Sequence, residues 1–265
     1  MEEIQLTKIF DSLWQQYVAI TPIAHSIKQL FESRGEKVIN DHIAFRTFKS
    51  QTAGINQLAE PFLKLGYREQ GTYNFEQKKL RAKHYEFPEN RFPKIFISEL
   101  LVDEFSSFLE ETVNNCLEQI SEADSQLYEL GRLWSIQYST YKRLKNESEY
   151  AAWLYVFGFR ANHFTLSVNH LKTFNTLEKV NRLLKDQGHG LNTAGGEING
   201  SAKSRLEQSS TLAYNCSVKF DDGEFIIPSC YYEFARRYPK DNGELFQGFI
   251  TQSADKIFES THRGQ

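Results

Sequence analysis

The chain has 265 residues, of which 40% are hydrophobic, 14% aromatic and 25% charged, proportions that exclude long disorder, collagen-like repeats and disulfide scaffolds. Thirty-one basic and 34 acidic residues leave a formal net charge of −3, so no global field draws the protein to nucleic acid or to an anionic membrane surface. Three cysteines, Cys116, Cys216 and Cys230, match neither a metal-binding spacing nor a disulfide framework, and they suit a reducing cytoplasm.

The N-terminal stretch carries acids where a signal peptide needs basic residues, which argues against secretion and for a cytoplasmic protein. Leu6, Ile9, Leu13 and Tyr17 recur at helical spacing. A second helix starts at Thr21-Pro22, carries Ile23, Ile27, Leu30 and Phe31 on one face, and stops at Gly35. Residues 41 to 48 then alternate, with His42, Ala44 and Arg46 on one face of a strand and Ile43 and Phe45 on the other. Ile55, Leu58, Phe62 and Leu63 return to helical period up to Gly66, with Pro61 expected to kink the run. Strands are expected near 67–75, 83–87 and 94–100, giving the order β, α, β, β, β.

Residues 101 to 157 read as helical. Phe105, Phe108, Leu109, Val113, Cys116, Leu117 and Ile120 form one stripe, and Tyr141, Leu144, Tyr150 and Leu154 another. The apolar run from Ala151 to Phe159 is about half the ~20 residues that cross a bilayer, so it is a core segment. The strand pattern then returns at 162–169, with His163, Thr165, Ser167 and Asn169 on one face. A helix with Phe174, Leu177, Val180 and Leu184 follows and closes at Gly188. Further strands are expected over Ser210–Phe220 and Glu224–Tyr232, and residues 192–201 form either a long hairpin or a lid. Strand, helix and glycine stop thus repeat about 121 residues apart, as two copies of a βαβββ unit.

If the two units pair, His42 and His163 face one space. Two imidazoles and one carboxylate make the 2-His-1-carboxylate set that leaves positions open on Fe(II). Glu233, at the end of the second unit, is the candidate acid, and Glu99, at the end of the first, competes with it. From the residues alone, the polar faces are equally readable as turned to bulk water. Arg46 lies about 13 Å beyond His42 along the strand and could grip a substrate carboxylate or form an ordinary salt bridge. His25, His84, His170, His189 and His262 have no partner at ligand spacing, and nothing marks Cys216 or Cys230 as an activated nucleophile. No glycine-rich phosphate loop and no basic aromatic stripe is present.

The motifs DHIAFRTF, ANHFTLSVNH and YYEFARRYP, in that order and with ITQSADKIFEST near the C-terminus, resemble the 2-oxoadipate dioxygenase/decarboxylase family over roughly residues 10 to 262. This family is a branch of the vicinal-oxygen-chelate metalloenzymes. The resemblance implies an α+β fold in which two paired βαβββ modules form a cup, with N-terminal helices and a helical insert. It divides a single domain into a helical preface (1–40), a first module (41–100), an insert (101–160), a second module (161–235) and a C-terminal segment (236–265). It implies that His42, His163 and Glu233 hold Fe(II), that Arg46 binds a 2-oxo acid, and that Gln252 and Ser253 contact the substrate. Glu99 then becomes the counterpart of Glu233 without being a ligand. The implied reaction converts 2-oxoadipate and dioxygen to 2-hydroxyglutarate and carbon dioxide in lysine breakdown, with no nucleic acid or membrane partner. A glyoxalase-like lyase or isomerase using Zn²⁺, Ni²⁺ or Mn²⁺, and a non-catalytic module sequestering a small ligand, are the competing readings. The chain is much shorter than the long bacterial members, which carry an added helical portion.

Overall fold

The structure is a computed structural model that describes residues 2–121 and 126–250. Two helices open it, α1 (Glu2–Ile20) and α2 (Pro22–Glu32), with Pro22 in the first turn of α2, where a missing N–H costs nothing. α1 buries Leu6, Ile9, Leu13 and Tyr17, the stripe its spacing predicts. The first unit follows as β1 (Asn40–Phe48), α3 (Ile55–Lys64), β2 (Arg68–Phe75), β3 (Leu80–Glu86) and β4 (Lys94–Leu100). α3 runs through Pro61 to Lys64 as one segment, so the expected kink does not interrupt it.

The insert holds α4 (Ser107–Leu117), the short α5 (Leu127–Leu130), α6 (Tyr138–Glu147) and α7 (Glu149–Phe157). The stripe read across Tyr141, Leu144, Tyr150 and Leu154 belongs to two helices. The chain extends at Ser148, whose hydroxyl accepts the Ala151 N–H and caps α7. Every residue of α7 from Tyr150 to Phe157 is buried, which accounts for its uniformly apolar sequence. Gly158 ends the helix at φ 67°, where a Cβ would lie 2.2 Å from the Gly131 carbonyl oxygen, so only glycine allows this approach.

The second unit comprises β5 (Ala161–Ser167), α8 (Leu177–Asp186), β6 (Asn199–Ser201), β7 (Leu206–Ser210) and β10 (Glu233–Arg237). Between β7 and β10 sits a hairpin, β8 (Asn215–Phe220) and β9 (Gly223–Pro228), that forms its own two-stranded sheet. The strand expected over 210–220 is therefore divided between two sheets. Asn169, assigned to the polar face of a strand, lies in a 3-10 turn, where it exchanges two hydrogen bonds of 2.8 Å with the Arg237 backbone. Phe174 precedes α8, and residues 192–198 form the approach to β6, which pairs with β7.

All main strands share one sheet in the order β2-β3-β4-β1-β5-β10-β7-β6. This is the paired βαβββ architecture, an α+β fold whose curled sheet is flanked by helices. The order is palindromic by role, since each unit places its first and last strands side by side and parallel, and the first strands meet antiparallel at the centre. There His42 pairs with Thr165, Ile43 with Phe164 and Ala44 with His163. Exchanging the halves swaps the outer two of those pairs and leaves the middle one on itself, so the register alone equates His42 with His163. No described helix is long and apolar enough to cross a membrane.

Candidate metal centre

His42 projects from β1, His163 from β5 and Glu233 from the first position of β10. The parallel pairing of Glu233 with Thr165, two residues after His163, sets the carboxylate beside the imidazoles. One donor atom from each of the three residues lies within 4.8 Å of the other two. His42 Nε2 is 3.4 Å from Glu233 Oε1, and His163 Nε2 is 3.6 Å from Oε2. Exposures of 3% for His42, 6% for His163 and 1% for Glu233 decide between the two readings of the polar faces: they enclose a site and do not meet bulk water.

The outer nitrogens of both rings are already engaged. His42 Nδ1 donates to Asp41 Oδ1 at 2.9 Å, and His163 Nδ1 donates to Asn162 Oδ1 at 3.1 Å. Each bond puts the ring proton on Nδ1 and turns the Nε2 lone pair inward, the arrangement a metal-ligating histidine needs. Burial pushes the His163 pKa well down, and repulsion from His42 and Arg46 adds to this, so the ring is neutral and able to ligate. Burial raises Glu233, against the attraction of His42 and hydrogen bonds from Gln208 Nε2 (2.7 Å) and from the Thr165 hydroxyl, whose one proton lies between Glu233 Oε1 (3.2 Å) and His42 Nε2 (3.0 Å). A buried carboxylate facing two imidazole lone pairs is relieved by a cation between them, so the donor set fits a divalent metal with positions left open.

Asp41 is fastened in turn. Arg237 Nε and Nη2 donate to its two oxygens at 2.7 and 2.8 Å, a bidentate pair in which both side chains are under 5% exposed. Burial alone would raise Asp41, but Arg237 and Lys94 outweigh it and hold the carboxyl well below its usual range. A carboxylate therefore always faces His42 Nδ1.

Glu99 stands elsewhere. Its carboxylate accepts from Arg81 Nε at 2.9 Å and from the Ile55 N–H at 3.1 Å, so it caps the start of α3. The register also corrects its standing as the counterpart of Glu233. Glu233 pairs with Thr165, Thr165 corresponds to Ala44, and Ala44 pairs with Phe96. The counterpart is Phe96, so among the described residues the first half adds no carboxylate to the donor set.

Arg46 is 2% exposed, with its guanidinium 4.9 Å from the Tyr150 ring centre and 5.3 Å from that of Trp153, both on α7. It also lines a cavity of about 420 Å³ with Lys79, Lys145 and Tyr150. Gln252 and Ser253 lie outside the described residues. Burial pushes the Cys116 and Cys230 thiols up to about 12, which leaves them inert. The sequence did carry one unused signal: Asp41 and Asn162 each immediately precede a histidine of the set. Gln208 and Arg237 reach the site only through strand pairing and left no such mark.

The model of the 2-oxoadipate dioxygenase/decarboxylase family matches residues 5–133 and 127–243. The chloroplastic 2-oxoadipate dioxygenase/decarboxylase of Arabidopsis thaliana is 36% identical over 281 residues, which takes in 94% of this chain and 75% of that protein. The chloroplastic/amyloplastic protein of the same description from Oryza sativa is also 36% identical, over 97% of this chain and 79% of its own. The crystal structure of hydroxyglutarate synthase from Oryza sativa in complex with 2-oxoadipate superposes with a TM-score of 0.92 at 33% identity, covering 98% of this chain and 93% of that one. A Shewanella frigidimarina crystal structure gives 0.88 at 48% identity, over 92% and 97% of the two chains.

Proposed function

Because the chain belongs to the 2-oxoadipate dioxygenase/decarboxylase family and is an enzyme with a 2-His-1-Glu site, we propose that it acts on 2-oxoadipate with Fe(II) held by His42, His163 and Glu233. The products are 2-hydroxyglutarate and carbon dioxide. Atoms balance with one dioxygen: the C1 carboxylate leaves as carbon dioxide, the keto carbon becomes the new carboxylate, and the adjacent carbon gains a hydroxyl. The observation that carries this reading is the enclosed cluster of two inward-turned imidazoles and one carboxylate.

Bound Fe(II) supplies the activation of dioxygen and a chelating position for the 2-oxo acid. The protein supplies the rest. Asp41 and Asn162 fix the two rings, Gln208 and Thr165 fix the Glu233 carboxylate, and Arg46, braced over Tyr150 and Trp153, binds a substrate carboxylate. Burial keeps water from the reacting atoms.

The test is oxygen uptake and carbon dioxide release by anaerobically purified, Fe(II)-loaded protein given 2-oxoadipate. Coupled one-to-one consumption and release is expected. Protein shown to hold iron but inactive on every 2-oxo acid tried would overturn the reading. Arg46→Ala is expected to keep its metal and bind the acid about 10- to 100-fold more weakly.

A further inference from the structure

After β10 the chain crosses back over the site, and residues 246–249 are tied to both halves of the sheet. From the second half, Arg237 Nη1 donates to the carbonyls of Phe246 at 3.1 Å and Gly248 at 2.8 Å, while its other nitrogens hold Asp41. From the first half, the Tyr73 hydroxyl accepts the Phe249 N–H at 3.2 Å and lies 2.9 Å from His84 Nδ1, whose Nε2 is 2.9 Å from Glu86 Oε1. The His84 proton therefore sits on Nε2 beside the carboxylate, and Tyr73 donates to Nδ1, which leaves its oxygen oriented to receive Phe249.

The ring of Phe249 is thereby set against the metal site. Its centre is 4.8 Å from that of His42, edge to face, and 4.8 Å from that of Phe96, the residue that stands where the first half has no carboxylate. Two aromatic rings thus stand in the first half where the second half has Glu233. Arg46 stands four residues beyond His42 on the same face of β1, with Ala44, the partner of Phe96, between them. An acid reaching from the triad to Arg46 would run past the rings of Phe96 and Phe249.

Resting on the functional reading above, we propose that Phe249 is a specificity-determining residue whose clamped ring walls the metal pocket and limits the chain length of the 2-oxo acid bound. Calorimetric titration of Zn²⁺-loaded protein with 2-oxo diacids of five to eight carbons tests this without turnover. The wild type is expected to bind one length best. In Phe249→Ala, Kd for that acid rises about tenfold, and its advantage over the eight-carbon acid falls by at least as much, while zinc affinity is unchanged. Phe249→Leu, which keeps bulk, retains most of the discrimination. If Phe249→Ala shows neither change and ranks the acids as the wild type does, the wall assignment fails and the functional reading stands. If the wild type binds none of the acids, the functional reading fails and takes the assignment with it.

Discussion

The two halves of the sheet share strand order and register, yet they contribute unequally to the space between them. The first brings His42 with a charged brace, Asp41 locked to Arg237, and fills its remaining quadrant with Phe96 and Phe249. The second brings His163 with a neutral brace, Asn162, and the carboxylate of the donor set, Glu233. A symmetric scaffold therefore yields a one-sided donor set of one carboxylate and two imidazoles, and a divalent cation held there would keep net positive charge to attract an anionic chelator.

Removing a donor breaks this arrangement most severely. His163→Ala is expected to lower metal affinity by about a thousandfold or more, read by metal analysis after dialysis, and stoichiometric metal in that variant would remove His163 from the ligand set. The unequal braces come next. Arg237→Met strands the buried Asp41 charge and should cost about 3–5 kcal/mol in denaturant unfolding, whereas Asn162→Ala, which removes a neutral partner, should cost about 1 kcal/mol. Equal losses would show that the charge on one side has no consequence. Phe96→Glu restores the symmetry: the metal-free protein should lose about 2–3 kcal/mol to a buried carboxylate and regain it on metal addition, with tighter metal binding and slower turnover than wild type.

The smallest effect concerns the tether between the helical preface and the second half. Glu36 accepts the N–H groups of Lys172 at 2.6 Å and Thr173 at 2.7 Å. Desolvation opposes ionisation, but these hydrogen bonds outweigh it and hold the carboxyl below its ordinary value. Its contribution is thus complete above the unfolded value, near ~4.3, and disappears as pH falls through the folded value. Glu36→Gln should cost about 1–2 kcal/mol at pH 7 and progressively less as pH falls below the unfolded value, measured by urea unfolding across that range.

Much of this was legible in the chain because amphipathic period reports directly on local structure. Leu6, Ile9, Leu13 and Tyr17 marked α1, and the alternation around His42 and His163 marked the two central strands. Pairing was not legible. Glu99 and Glu233 both end a unit, and only the parallel register shows that Glu99 falls three residues past the counterpart position. The hairpin β8–β9 alternates as any strand does, and period carries no information about which sheet a strand joins. Arg237 and Phe249 gain their roles from neighbours far away in sequence, which no local pattern encodes.

That hairpin grips the helical insert. Asp222 at its turn accepts the N–H groups of Tyr138 at 2.7 Å and Ser139 at 3.3 Å at the start of α6, and Phe225 stacks on Tyr138 with ring centres 3.6 Å apart. α6 leads through Ser148 into α7, whose Tyr150 and Trp153 lie beneath Arg46. An excursion of the second half thus sets the footing of an arginine that belongs to the first. For an engineer this is a remote handle: loop grafts at residues 220–223 would shift the rings beneath Arg46 while every residue of the donor set stays as it is.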